Sequence, residues 1–152
     1  MGSQAWIAAN RAMFVPCRIF HPVIITKLWL VNGATASGNF DIGIYSAGDT
    51  VDATPVLIVS SGSTAQSGTY AVQTVDITDT EVGAGLYYLA LAMNGTTGTC
   101  MADITPAAAN SKFMGLAQQD TAFALPATAT LATSAASILA LFGLLLSPQT
   151  VI

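Results

Sequence analysis

The sequence predicts an all-β fold, a single jelly-roll-like β-sandwich with little or no helix. Short runs rich in Val, Ile, Thr, Tyr and Phe recur along the chain. Turn residues separate them at Asn32-Gly33, Gly38-Asn39, Gly48-Asp49, Gly62, Gly68, Gly83 to Gly85, Asn94-Gly95 and Gly98. Short strands at such spacing are the pattern of a sandwich or a barrel, and an up-and-down barrel is the alternative. No stretch has linker composition and no repeat is visible, so residues 1–152 form one domain. A chain of 152 residues buries a core without staples.

Residues 1–14 read as an N-terminal arm, running into a first strand over Ala12–Phe20 that Pro16 interrupts. A proline there suits an edge or a bulge. Val23–Val31 follows. Phe40, Ile42 and Ile44 alternate with Asp41, Gly43 and Tyr45, the period of a half-buried strand. Pro55–Ser60 is a short apolar run. In Ala71–Thr78, Val75 and Ile77 point inward while Thr74 and Asp76 point outward. Leu86–Met93 differs, because Leu86, Tyr88, Ala90 and Ala92 share one face and Tyr87, Leu89, Leu91 and Met93 the other. A strand apolar on both faces is covered on both, so a loop, a helix or another subunit must supply the second cover. Ala107–Gln119 reads as a helical turn or a loop. Ala122–Thr133 alternates small apolar residues with Thr. Residues 137–152 hold a final strand, Ser137–Leu145, and a tail; period alone leaves a buried helix open for that strand.

Charge is scarce. Only 8% of residues are charged and 53% are apolar, against about 25% charged in an ordinary soluble domain. Such a surface repels its copies weakly and loses little hydration on contact, which favours work inside an assembly. Net charge is −4, and the cations are Arg11, Arg18, Lys27 and Lys112. Four scattered cations make no footprint for nucleic acid and no polybasic run for an anionic membrane. The apolar run Ile138–Leu146 is too short to span a bilayer. Met1–Phe14 lacks the basic-then-apolar layout of a signal peptide, which takes weight from the sequon Asn94-Gly95-Thr96.

No catalytic, cofactor-binding or metal residues emerge. His21, the one histidine, precedes a proline, and no nucleophile elbow or zincin helix is present. The acids Asp41, Asp49, Asp52, Asp76, Asp79, Asp103, Asp120 and Glu81 sit mostly beside turns, where Asp bonds local backbone. Asp49 with Asp52, or Asp76 with Asp79 and Glu81, supplies too few oxygens for calcium. Cys17 and Cys100 lie far apart and read as free buried thiols. Trp6, Trp29, Tyr45, Tyr70, Tyr87 and Tyr88 serve either core packing or, if co-planar on one exposed face, stacking on a sugar.

Two stretches carry a family resemblance. The first is Leu28-Trp29-Leu30-Val31-Asn32-Gly33 with Gly38-Asn39-Phe40-Asp41-Ile42-Gly43-Ile44-Tyr45. The second is Val82-Gly83-Ala84-Gly85-Leu86-Tyr87-Tyr88-Leu89-Ala90-Leu91. The Ser/Thr/Gly-rich connection Val59–Thr69 and the ending Leu141-Phe142-Gly143-Leu144 belong to the same resemblance, which extends over about two thirds of the sequence. This pattern resembles small β-sandwich structural proteins of tailed bacteriophage virions. In those proteins a G-x-x-D-I-G-I-Y strand precedes a G-x-Y-Y-L-A strand. The resemblance implies a non-enzymatic capsid-decoration, head-fibre or tail-associated subunit located in the virion. Its implied partners are copies of itself, a trimer among the options, and capsid or tail proteins. A carbohydrate- or receptor-binding module is the alternative, and a hydrolase is disfavoured by the single His. The expected sites of assembly are Leu86–Met93 and the apolar C-terminal run.

Overall fold

The computed structural model describes residues 1–47, 54–104, 114–134 and 138–147. Thirteen strands and no helix lie within them. They are β1 (Gly2–Ala5), β2 (Arg11–Ile19), β3 (Val23–Val31), β4 (Asn39–Ser46), β5 (Leu57–Ser60), β6 (Thr64–Ala65) and β7 (Val72–Val82). Then follow β8 (Gly85–Met93), β9 (Thr99–Ile104), β10 (Ala117–Gln119), β11 (Ala132–Thr133), β12 (Ile138–Ala140) and β13 (Phe142–Ser147).

The first layer has the order β11-β10-β2-β8-β4-β5, with β6 added to β4. The second is built from two three-stranded sheets, β13-β3-β7 and β1-β9-β12. Leu141 joins them: its N–H donates to the Met101 carbonyl, and its own carbonyl accepts the Val31 N–H. The segment 138–147 is therefore one bent strand that pairs first with β9 and then with β3. Most neighbouring strands are far apart in the chain, among them β2-β8, β8-β4, β1-β9, β13-β3 and β3-β7, which rules out an up-and-down barrel. All the strand pairs are antiparallel.

The main core fills the space between the layers. Met13, Phe40, Ile42, Ile44, Leu91 and Met93 from the first layer meet Ile25, Leu28, Leu30, Cys100, Ala102, Ile138 and Ala140 from the second. Trp6 closes this core beside β1, with Nε1 donating to the Arg11 carbonyl at 2.9 Å. Within residues 1–14, β1 is an edge strand, Trp6 is a core residue and β2 begins at Arg11. Pro16 pairs with Tyr88 on one side, while β10 reaches only as far as Phe14 on the other. The missing proline N–H falls where β2 has become an edge.

Side-chain amides tie one end of the sandwich. Asn32 is fully buried and donates to the Ser67 carbonyl at 2.5 Å and to Gln73 Oε1 at 3.0 Å. Its Oδ1 accepts from Gln66 Nε2 at 2.9 Å, and Gln66 also bonds the Thr99 carbonyl and the Ser37 N–H. Three loops are held by this chain of amides. Asn32-Gly33 marks a turn in the sequence, and its asparagine proves to be a core residue.

Candidate docking face

The sandwich has two outer faces, and they are treated differently. The outer face of the first layer is floored by Ala12, Phe14, Tyr45, Ala90 and Ala92. Ala122, Leu125 and Ala129 lie on that floor, from the stretch between β10 and β11. The second cover demanded by the two-faced strand β8 therefore comes from this chain's own loop. Tyr87, Leu89, Leu91 and Met93 pack into the main core, while Tyr88, Ala90 and Ala92 lie under the loop, as their alternation predicts.

Three residues of β4 fasten this roof. Asp41 Oδ2 accepts the Leu125 N–H at 3.0 Å, and Ser61 Oγ donates to Oδ1 at 3.2 Å. A Cβ on Gly43 would meet Leu125 Cδ1 at 2.9 Å, so the missing side chain is what lets the leucine lie on the strand. Tyr45 Oη donates to the Pro126 carbonyl at 2.6 Å. Alternation predicted a half-buried β4, but Asp41 and Tyr45 are 1% and 0% exposed. Burial raises the Asp41 carboxyl above its ordinary value, and the bonds from Leu125, Ser60, Ser61 and Gly62 partly offset this. Burial, and then the nearby Asp41 charge, raise the Tyr45 phenol. This acid is a fastener inside the fold rather than a turn acid in solvent.

The outer face of β13-β3-β7 is open by comparison. Leu28 and Leu30 are buried, so Trp29 and Val31, which alternate with them, point outward, as do Gly143 opposite Trp29 and Val72 opposite Val31. The indole lies flat over Gly143: a Cβ there would sit 2.7–3.1 Å from three of its ring atoms. Trp29 Nε1 bonds the Leu144 carbonyl at 3.3 Å. Leu141 and Leu145 continue the apolar strip on the neighbouring strand. Val72 is 63% exposed and Leu145 42%. Lys27 and Asp76, paired in register, form an ion pair beside the strip.

The remaining sequence expectations sort as follows. His21 is exposed in the turn between β2 and β3. Asp76, Asp79 and Glu81 lie along β7, Asp103 on β9, and Asp120 pairs with Arg11 at 2.5 Å. Asp49, Asp52 and Lys112 lie outside the described residues. Among the described residues no group of three His, Cys, Asp or Glu side chains is placed to hold a metal ion. Cys17 and Cys100 are free thiols; burial raises both, Cys100 to about 11. Of the aromatic set, Trp6 and Tyr45 are interior, Tyr88 packs edge-on to Phe14, and Tyr87 bonds the Gly83 carbonyl. Trp29 and Tyr70 are left of the six aromatics from which two or three co-planar residues would have to come for a sugar. Leu86–Met93 and the C-terminal run, the expected sites of assembly, are mostly interior, with Leu86, Leu145 and Leu146 exposed. No helix among the described residues is long and apolar enough to cross a membrane.

Comparison with protein-family models, curated proteins and solved structures finds no match to this chain.

Proposed function

We propose that this chain is a non-enzymatic structural subunit of a bacteriophage virion, docked on the particle through the outer face of β13-β3-β7. The supporting observation is the asymmetry of the sandwich. One outer face is sealed by the chain's own loop, and the other leaves Trp29, Val31, Val72, Leu141 and Leu145 in a strip with one ion pair beside it. A contiguous exposed apolar patch marks a contact surface, unlike single exposed apolar residues. The virion setting rests on the resemblance of the β3–β4 and β8 sequences, and scarce charge fits a component packed among neighbours. Contacts between copies, a trimer included, belong to this reading through other surfaces.

The test is incorporation. Particles purified from the source of this chain on a density gradient should contain it at a fixed ratio to the major capsid or tail protein. A Trp29→Glu, Leu145→Glu double variant should fold but stay out of the particles. Particles that never contain the chain, or that take up the double variant equally well, would overturn the proposal.

A further inference from the structure

The dipeptide Asn-Gly occurs at Asn32-Gly33 and at Asn94-Gly95, and the fold treats the two oppositely. Asparagine is a thermolabile residue. It is most exposed to attack by the next backbone nitrogen when that residue is glycine, which has no Cβ to crowd the approach. At Asn32 the route is closed. Asn32 is fully buried, its Nδ2 donates to the Ser67 carbonyl and to Gln73 Oε1, and its Oδ1 accepts from Gln66. The Gly33 N–H donates to the Thr99 carbonyl at 2.9 Å, and a Cβ on Gly33 would lie 2.5 Å from Thr99 Oγ1.

At Asn94, in the turn after β8, the reacting atoms are uncommitted. Asn94 is exposed, and a Cβ built on Gly95 meets nothing within 4 Å. Among the described residues neither Asn94 Nδ2 nor the Gly95 N–H makes a hydrogen bond. The carbonyl side is what the fold fixes. Asn94 Oδ1 accepts the Asn39 N–H at 2.9 Å, and the Asn94 N–H donates to the Asn39 carbonyl at 3.0 Å. A donor on that oxygen draws electrons from Cγ and stabilises the negative charge that forms there during attack. The side chain is held as an electrophile with its leaving group free.

We infer that Asn94-Gly95 is a self-modification site, at which the chain rearranges with water as the only co-reactant. The Gly95 nitrogen bonds to Asn94 Cγ, the Cγ–Nδ2 bond breaks, and Nδ2 leaves as ammonia with the Gly95 amide proton. Water then opens the succinimide ring at either carbonyl, giving aspartate or isoaspartate, and nothing is oxidised or reduced. Both products add one negative charge to a chain whose net charge is −4. The aspartate keeps an acceptor for the Asn39 N–H. The isoaspartate runs the backbone through the former side chain and lengthens it by a methylene, so the Asn94–Asn39 clasp is lost. That clasp ties the end of β8 to the start of β4, beside the Phe40–Met93 pair, and its loss is a one-way loosening of this corner.

The test is to age the folded chain in warm, mildly alkaline buffer and map its peptides by mass spectrometry. The peptide holding Asn94 should gain the mass difference between NH and O, and part of it should accept a methyl group from an isoaspartate O-methyltransferase. Conversion at Asn94 should outrun conversion at Asn32 by at least about tenfold, because Asn32 must first give up its buried hydrogen bonds. In urea that gap should close. Gly95→Ala has room for its Cβ, so it should fold and suppress conversion at Asn94. Asn94→Asp should melt with the native chain, and the isoaspartate fraction, separated by ion exchange, should melt lower. An Asn94 that stays intact in the folded chain, an Asn32 that converts there as fast, or a Gly95→Ala chain that converts like the native one would overturn the site. An isoaspartate fraction that melts with the native chain would overturn the loosening.

Discussion

The Asp41 carboxylate accepts the backbone N–H of Leu125, 84 positions later, at 3.0 Å and out of contact with water. This bond fixes the loop that roofs the first layer. It also buries a carboxyl group, at a cost in hydration.

Two substitutions separate those effects. Asp41→Ala leaves the Leu125 N–H buried without its acceptor and should cost about 1–3 kcal/mol. Asp41→Asn keeps an acceptor for Leu125 and supplies a donor toward Ser61, without the buried charge. It should match or exceed the native chain in urea denaturation at neutral pH.

The pH dependence follows from the same burial. The folded-state pKa of Asp41 is raised above its unfolded value. Its stabilising contribution is therefore complete below the ordinary aspartate value and is lost as pH rises through the folded value. The stability of Asp41→Asn relative to native should therefore shrink on acidification through that window. A gap that widens on acidification would contradict the burial argument.

Gly43 should resist substitution while Gly83 accepts it. An added Cβ at Gly43 meets Leu125 and Leu57 at 2.9 Å each, whereas at Gly83 nothing lies within 4 Å. Gly43→Ala should lose about 1–3 kcal/mol to overpacking. Gly83→Ala should stay within about 0.5 kcal/mol of native. Thermal melts of the two variants side by side decide this.

Thiol titration should find two free thiols in denaturant without reductant. In the folded chain near pH 8, Cys100 should be unreactive, because burial both shields it and holds its pKa at about 11. Cys17, half-buried, should react slowly. A chain with no titratable thiol in denaturant would mean a disulfide instead.

Much of the fold was legible where a strand carries its own pattern. β3 and β8 fall where the apolar runs put them, and Val75, Ile77, Thr74 and Asp76 point as alternation predicts. β9 was missed because Thr99–Ile104 is short and rich in small residues, and Cys100 and Ala102 are buried by the opposite layer rather than marked by a local pattern. Asp41 and Tyr45 looked like the solvent side of β4 because their cover arrives from residues 125 and 126. No local period reports a roof so distant in sequence. Alternation could have put Trp29 and Val31 outward from the start. Their place on an open face follows from the pairing of β3 with β13 and β7 rather than from β3 itself.

The strand that bends at Leu141 has a consequence for synthesis. β3, β7 and β9 are all synthesised before residues 138–147, yet this later segment is what links their two sheets. Until it arrives, β3 lacks its second neighbour β13 and β9 its second neighbour β12, so the layer that holds Leu28, Leu30 and Ala102 stays unlinked. The nascent chain must therefore carry an unfinished apolar surface, and sheets closed by distant pairings form slowly. Chaperone demand, and losses to aggregation during overexpression, should centre on this interval before the layer closes.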